Sequence, residues 1–159
     1  PVGAVAGGAE FMAVFDPTRG KPALPHGGTF SANPVTMMAG LAAMELLDDA
    51  AFARLDAIGE RLRSGVDAAF ARHGVPGRAV GMGSLAKIHF TDRPIRDYRS
   101  AYAGPEETAK MERFNRGLLD RGVLAAGYGL IALSTPMTDA DIDTVLAAVS
   151  DSIADLAAL

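Results

Sequence analysis

The 159-residue chain contains no cysteine. This absence excludes disulfide bridges, thiolate nucleophiles and zinc sites built on cysteine ligands. Proteins of the cytoplasm keep few disulfides, so a chain without cysteine is typical of that compartment. We therefore expect a cytoplasmic protein.

Long apolar runs and clusters of basic residues are also lacking. No run approaches the roughly 20 apolar residues that a membrane helix needs, so we expect no membrane insertion. The net charge is −4, and the lysines and arginines are scattered. Because nucleic-acid affinity depends on a basic surface, we expect no nucleic-acid partner.

What the chain does have is enough apolar sequence to form a core of its own. Hydrophobic side chains make up 49% of its residues, although aromatic ones make up only 6%. Hydrophobic spacing and Gly/Pro breaks predict alternating helices and strands. The predicted strands lie at 1–8, 78–82, 84–91, 123–125 and 130–134. The predicted helices lie at 10–15, 34–47, 50–73, 106–121 and from 138 to the end.

Several helices carry recognisable ends and faces. Asn33 followed by Pro34 predicts a capped helix start, and Thr138 with Asp141 predicts a second one. Gly74 and Gly122 predict helix ends. Apolar residues at helical spacing predict the buried faces: Val35, Met38, Leu41, Ala42 and Leu46; Phe52, Leu55, Gly59, Leu62, Val66 and Phe70; Met111, Phe114 and Leu118; Ile142, Val145, Leu146, Val149, Ile153 and Leu156.

The order of these elements predicts an α/β protein whose second part is a small α+β domain. Its helices are expected on one face of a mainly antiparallel sheet. We place the boundary between residues 1–49 and residues 50–159. Because the chain begins inside a predicted strand, we expect it to be the C-terminal part of a larger enzyme.

The stretch from His26 to Pro34 is the most informative for function. Gly27 and Gly28 allow a ligand to approach the backbone closely, and Thr29 adds a hydroxyl donor. A helix start follows, and helix starts favour anions. The stretch therefore fits a phosphate site at Gly28 and Thr29, although a plain loop with a capping residue explains the same residues.

No other residue type forms a catalytic pattern. The three histidines, His26, His73 and His89, have no metal-ligand spacing, and structural roles explain them. Ser31, Ser84 and Ser134 lack the sequence of a nucleophile elbow. The three lysines are Lys21, Lys87 and Lys110, and none has a setting that favours Schiff-base chemistry, although Lys87 on its strand remains open.

Three blocks of the sequence resemble the class III aminotransferases, which are fold-type I enzymes dependent on pyridoxal 5′-phosphate (PLP). The resemblance covers nearly the whole chain. The matching blocks are Pro1-Val2-Gly3-Ala4 with Gly7-Gly8 and Glu10-Phe11-Met12; Gly28-Thr29-Phe30-Ser31-Ala32-Asn33-Pro34 with Ala39-Gly40; and Gly122-Val123-Leu124 through Leu133-Ser134 to Thr138-Asp139-Ala140-Asp141-Ile142.

This resemblance implies that Gly28 and Thr29 bind the phosphate of PLP, and that they do so for the neighbouring subunit of a homodimer with shared active sites. It also implies that residues 1–49 are the tail of the large cofactor-binding domain and residues 50–159 the small domain. In the family, the Schiff-base lysine precedes the segment that begins here at Pro1. We therefore expect no catalytic residue in this chain, and no activity from these 159 residues alone.

The reaction remains open at this point. The resemblance extends to glutamate-1-semialdehyde 2,1-aminomutases and to their amino-acid aminotransferase relatives. Aminomutases carry an acidic residue near the C-terminus that affects specificity, whereas the matching region here, Ala126-Gly127-Tyr128-Gly129, has none. A β- or ω-amino-acid aminotransferase is the alternative. The pattern of residues 50–157 taken alone would also suit a non-enzymatic binding module.

Overall fold

A computed structural model describes residues 3–18 and 20–157 of the chain. The chain divides into two compact units between Asp48 and Asp49. None of the described helices is long and apolar enough to cross a bilayer.

The first unit contains two helices and long irregular segments. Helix α1 spans Ala9–Met12 and continues into a 3-10 turn at Ala13–Phe15, which confirms the helix predicted over 10–15. The strand predicted over 1–8 is wrong for residues 3–8, which have no regular structure, and residues 1 and 2 lie outside the described part. A strand needs a hydrogen-bonding neighbour, and the described residues of this unit form no other strand.

Helix α2 spans Pro34–Glu45, with Asn33 as its N-cap as predicted. The prediction of its buried face is wrong, since Val35 is 77% exposed and Met38 is 64% exposed. Leu41, Ala42 and Leu46, the other members of that face, are exposed as well. The helix is apolar around its whole circumference, so its spacing could not specify an inward side.

The described part of the second unit consists of four helices and a three-stranded sheet. The short helix at Tyr98–Ala101 was missed, because residues 92–105 are polar and lack helical periodicity. The elements are α3 at Asp49–His73, β1 at Arg78–Val80, β2 at Leu85–His89, α4 at Tyr98–Ala101, α5 at Pro105–Asp120, β3 at Leu130–Ala132 and α6 at Asp139–Ala157.

The sheet is antiparallel, in the order β1-β2-β3. Ala86 of β2 lies opposite Ile131 of β3. The strand predicted over 123–125 is wrong, because the Val123 amide donates to Leu118 O at the end of α5. That bond is part of the helix C-terminus, so the Val123 amide is not available to pair with a neighbouring strand.

The core of this unit lies between the helices and the sheet, which confirms the predicted α+β architecture. Helix α3 packs against α6, β1 and β2, and α5 packs against α6. Phe52 was predicted inside but is exposed. The buried apolar residues are Leu55, Ile58, Leu62, Val66, Ala69, Phe70, Ala86, Ile88, Phe90, Phe114, Leu118, Ile131, Leu133, Ile142, Ala148, Val149 and Ile153.

The start of α6 is capped as the sequence predicts. Both the backbone amide and the hydroxyl of Thr138 donate to Asp141 Oδ2, at 2.7 and 2.8 Å. These bonds hold the pKa of Asp141 below its usual value. Gly74 and Gly122 follow α3 and α5 with φ of 65° and 78°, a conformation that glycine adopts without strain.

Candidate functional site

The loop before α2 places Gly28 and Thr29 in a tight turn. The amide of Ser31 donates to Gly28 O at 3.0 Å, and the amide of Asn33 donates to Phe30 O at 3.3 Å. Ala32 has a φ of 51°, which is uncommon for a residue with a side chain. Two consecutive turns thus lead the chain into α2 and present the Gly28–Thr29 backbone on the outside.

The donors of this turn have no acceptors within the part of the chain that the structure describes. Neither the Gly28 and Thr29 amides nor the Thr29 hydroxyl forms a hydrogen bond there. At the start of α2, by contrast, Asn33 Oδ1 accepts from the amides of Val35 and Thr36 at 3.1 and 3.2 Å. The start of α2 was expected to be part of the anion site. Its amides at Val35 and Thr36 are already bonded to Asn33, so the free donors lie in the preceding turn.

A cavity of about 550 Å³ lies beside this turn, within the first unit. Gly28, Thr29, His26 and Val5 line it, and none of its described lining residues is acidic. A Cβ on Gly28 would approach only Ser31 Oγ, at 3.7 Å, so the cavity side of the glycine is open. Free amide and hydroxyl donors without a competing carboxylate suit a phosphate group.

The three lysines occupy different settings. Lys21 is exposed in the loop between the two helices of the first unit. Lys110 pairs with Glu106 one turn earlier on α5, with Nζ and Oε1 2.6 Å apart. Lys87 donates to Tyr128 O and lies 4.4 Å from the centre of the Tyr128 ring. Burial lowers the pKa of Lys87.

Each histidine has different neighbours. The rings of His26 and Phe15 pack edge to face, with centres 5.6 Å apart. Nε2 of His73 lies 3.0 Å from Ser150 Oγ and forms a hydrogen bond between α3 and α6. His89, at the end of β2, is buried with 9% of its surface exposed. Strand alternation predicts its place beside Lys87 on one face, but its burial was missed, because only the position of β2 within the sheet reveals it.

His89 is expected to make folding sensitive to mildly acidic pH. Burial is the main cause that lowers its pKa; the charges of Lys87 and Arg78 lower it further, and Glu107 opposes them. The unfolded chain therefore takes up a proton at a higher pH than the folded chain does. The unfolding free energy should fall as the pH drops below about 6.5, the pKa of histidine in the unfolded chain. The fall should end once the pH is below the lower pKa of His89 in the folded chain.

Urea unfolding at pH 7.5 and pH 5.5 measures this effect, in the wild type and in His89→Gln. The wild type should lose more stability between the two pH values than the variant, which has no titrating ring at this position. Equal losses in both proteins would show that His89 does not carry the pH dependence.

The turn at 126–129 is closed by its own backbone. Ala126 and Leu130 are joined by a backbone hydrogen bond of 3.1 Å, and the Gly129 amide donates to Ala126 O at 2.7 Å. Gly129 has a φ of 83°, and a Cβ there would lie 2.5 Å from Met111 Cε and 2.9 Å from Ile88 O. An acidic side chain at position 129 would therefore not fit without rearrangement.

Comparisons with known proteins agree with this architecture. The chain is 36% identical over 147 residues to a glutamate-1-semialdehyde 2,1-aminomutase of Propionibacterium freudenreichii subsp. freudenreichii, covering 91% of this chain and 32% of that protein. It is 37% identical over 158 residues to the beta-phenylalanine transaminase of Variovorax paradoxus, covering 99% and 36%. The chain thus spans about a third of the length of these relatives.

Solved structures show the same relationship. An omega-transaminase from Sphaerobacter thermophilus matches with a TM-score of 0.84 and 44% identity, over 94% of this chain and 34% of that one. A transaminase with PLP bound matches with a TM-score of 0.78 and 34% identity, over 96% and 34%. These neighbours are fold-type I transaminases, which confirms the predicted fold. The family model for class III aminotransferases matches residues 1–153, and the chain belongs to that family.

Proposed function

We propose that this chain provides the phosphate-binding loop and the C-terminal small domain of a PLP-dependent amino-acid aminotransferase of its relatives' length. The observation that carries the proposal is the turn at Gly28 and Thr29, whose free donors line a cavity without acidic residues. Residues 1–49 would then be the tail of the large domain, and residues 50–159 the small domain. Membership of the family supports an enzyme of this class.

Gly28 and Thr29 would hold the phosphate group of the cofactor. The two amides and the Thr29 hydroxyl would donate to its oxygens, and the missing side chain of Gly28 would let it approach the backbone. When bound, PLP supplies the electron sink that allows an amino group to pass between an amino acid and a keto acid. The contribution of these residues is to fix the cofactor's position.

A second copy of the chain is the proposed partner of the first unit. Helix α2 carries Val35, Met38, Leu41 and Met44 on its surface, all more than half exposed. An exposed apolar surface of this kind is typical of residues that another protein surface covers. In a homodimer with shared active sites, Gly28 and Thr29 would serve the cofactor of the partner subunit.

We further propose that the 159 residues alone do not catalyse amino transfer. The reaction needs a lysine amine that binds the cofactor and moves protons. Lys110 is held in an ion pair with Glu106, and Lys87 donates to the Tyr128 carbonyl. Lys21 is the remaining lysine, exposed on its loop. None of the three lysines therefore has an environment that suits it to bind the cofactor through its amine.

The substrates we favour are β- or ω-amino acids with a keto acid as acceptor. The identities of 44% and 37% to an omega-transaminase and a beta-phenylalanine transaminase support this class. The turn at Ala126–Gly129, which contains no acidic residue, agrees with it.

Glutamate-1-semialdehyde 2,1-aminomutase is the second candidate, because relatives of that name are 36% and 38% identical. The two activities are separable by assay. An aminotransferase releases a keto product from β-phenylalanine only when a keto acid is present. An aminomutase converts its single substrate without a second one.

Replacing Thr29 by alanine in the full-length protein should weaken PLP binding by about 10-fold or more. A hydrogen bond to a charged group contributes roughly 1.5–3 kcal/mol, and 1.4 kcal/mol corresponds to a factor of ten. Titration of the cofactor-free protein with PLP, followed by the absorbance of the bound cofactor, measures the dissociation constant.

The matched control is Thr144→Ala. The Thr144 hydroxyl bonds within α6, to Ala140 O at 2.9 Å, and PLP affinity should be unchanged. Unaltered affinity in Thr29→Ala would show that Thr29 does not bind the phosphate.

A full-length protein that retains no PLP, or that transfers no amino group, would overturn the proposed function. Turnover by the 159-residue chain, assayed in parallel, would show that amino transfer does not need a cofactor-binding lysine outside these residues.

A further inference from the structure

A second cavity, of about 230 Å³, lies within the second unit. It forms because β3 pairs with β2 only at Leu85, Ala86 and Lys87. After one further bond, from the Ile88 amide to Gly129 O, the edge of β2 continues without a neighbouring strand. The space beside this edge is bounded by α5 and by the segments around Ala101 and Tyr128.

The walls of the cavity are mainly apolar. Met111 lines it from α5, and Ala101 and Ala103 line it from the segment around α4, whereas Ile88 and Phe90 lie behind the strand side with 0% and 5% of their surface exposed. Its volume is far larger than the roughly 10–15 Å³ that a single water needs. A small organic molecule with a compact apolar body fits such a space better than a lone ion does.

One wall carries a positive charge that no carboxylate neutralises. Lys87 lines the cavity, and within the described residues it forms no ion pair. Its Nζ donates one hydrogen bond, to Tyr128 O, and lies above the Tyr128 ring. An ammonium has three N–H donors, so two remain for another acceptor.

His89 offers a further polar group on the same strand. It lines the cavity and is about nine-tenths buried, yet its ring forms no hydrogen bond with any described residue. The His89 ring nitrogens are accessible from the cavity rather than enclosed, so they are available to bond to a group placed there. Lys87 and His89 are two residues apart on β2 and point to the same face of the strand.

The acidic residues around the cavity do not cancel this positive charge. Arg93 pairs with Glu107, with Nη2 2.9 Å from Oε1, and the Gly104 amide donates to Glu107 Oε2 at 2.9 Å. Glu112 also lines the cavity, but it is exposed to solvent. Of the charged groups at the cavity, Lys87 is thus the one that is half-buried and unpaired.

We propose that this cavity binds a small organic carboxylate with an apolar body. Lys87 and His89 hold the carboxylate, and Met111, Ala101 and Ala103 surround the body. The site lies outside the Gly28–Thr29 turn, and its binding can be measured without PLP. The inference therefore stands or falls separately from the proposed aminotransferase activity.

Calorimetric titration of the PLP-free 159-residue chain with phenylacetate tests the inference. Phenylacetate should bind, whereas phenylacetamide, which is neutral, and phenethylamine, which is cationic, should bind at least about 10-fold more weakly. Lys87→Met should weaken phenylacetate binding by a similar factor, because it removes the charge and keeps an apolar chain. Lys110→Met, which removes a half-buried lysine that is already paired with Glu106, should leave binding unchanged.

Circular dichroism of each variant shows whether it is folded. If Lys87→Met is unfolded, His89→Phe is titrated instead, and weaker binding of phenylacetate is again expected. Three results would overturn the site: no binding of phenylacetate, equal binding of the acid and the amide, or unchanged affinity in the folded variant.

Discussion

Replacement of Phe114 by alanine is expected to destabilise the second unit by about 3–5 kcal/mol. Phe114 is fully buried on α5. Its ring packs edge to face on Phe90, and Phe90 packs in the same way on Phe70, with centres 5.4 Å apart in both pairs. The three rings connect α5, the end of β2 and α3, so removing one ring leaves a void at the centre of the core.

Equilibrium urea unfolding followed by far-UV circular dichroism measures this loss. Tyr102→Ala is the control, since Tyr102 is 65% exposed and should cost far less. The cavity-forming variant should unfold at a clearly lower urea concentration. A loss below about 1 kcal/mol would mean that the surrounding residues collapse into the space, and that the ring cluster is not a rigid centre of the core.

In the second unit, the sequence correctly predicts the buried residues of helices that have one apolar face and one polar face. In α6, Ile142, Val149 and Ile153 are fully buried as their spacing indicates, and Leu55, Leu62 and Val66 are buried in α3. Each of these helices has polar residues on its other side, so the apolar stripe specifies a direction. Helix ends are predicted equally well, because Thr138 and Gly74 act through local backbone geometry.

Predictions fail where the deciding contacts are distant in the sequence or lie outside a single element. Helix α2 is apolar on all sides, so its periodicity does not identify a buried face. Residues 3–8 and 123–125 are short apolar segments, but a strand forms only with a neighbouring strand, and local sequence does not reveal neighbours. Phe52 occupies an inward position of the helical pattern near the start of α3, yet it is exposed.

The two candidate sites differ in the same way. Gly28 and Thr29 are adjacent in sequence, so the glycines, the hydroxyl and the resemblance to a known block identify them together. The cavity at Lys87 depends on the register of β2 and β3 and on a hydrogen bond to Tyr128, 41 residues away. No local pattern encodes that distance, so the sequence left open whether Lys87 belongs to a site.

Replacement of Gly59 by alanine is expected to destabilise the second unit by about 1–3 kcal/mol, although alanine favours a helix over glycine by roughly 1 kcal/mol. Gly59 is buried in the middle of α3, where a Cβ would lie 1.9 Å from the backbone oxygen of Gly83. That oxygen already accepts a hydrogen bond of 2.9 Å from Arg63 Nη1, and Leu85 O accepts another of 3.0 Å. The added methyl group must therefore push the start of β2 away from the helix.

Gly65→Ala, in the same helix, separates backbone crowding from side-chain crowding. A Cβ at position 65 would meet only side-chain atoms of Leu146, the nearest at 2.4 Å, and that side chain can change its rotamer. Urea unfolding of the two variants should therefore show a larger loss for Gly59→Ala than for Gly65→Ala. A Gly59→Ala variant as stable as the wild type would mean that residues 83–85 move away from α3 at little cost, so that the close approach of β2 to the helix is not what fixes the sheet on α3.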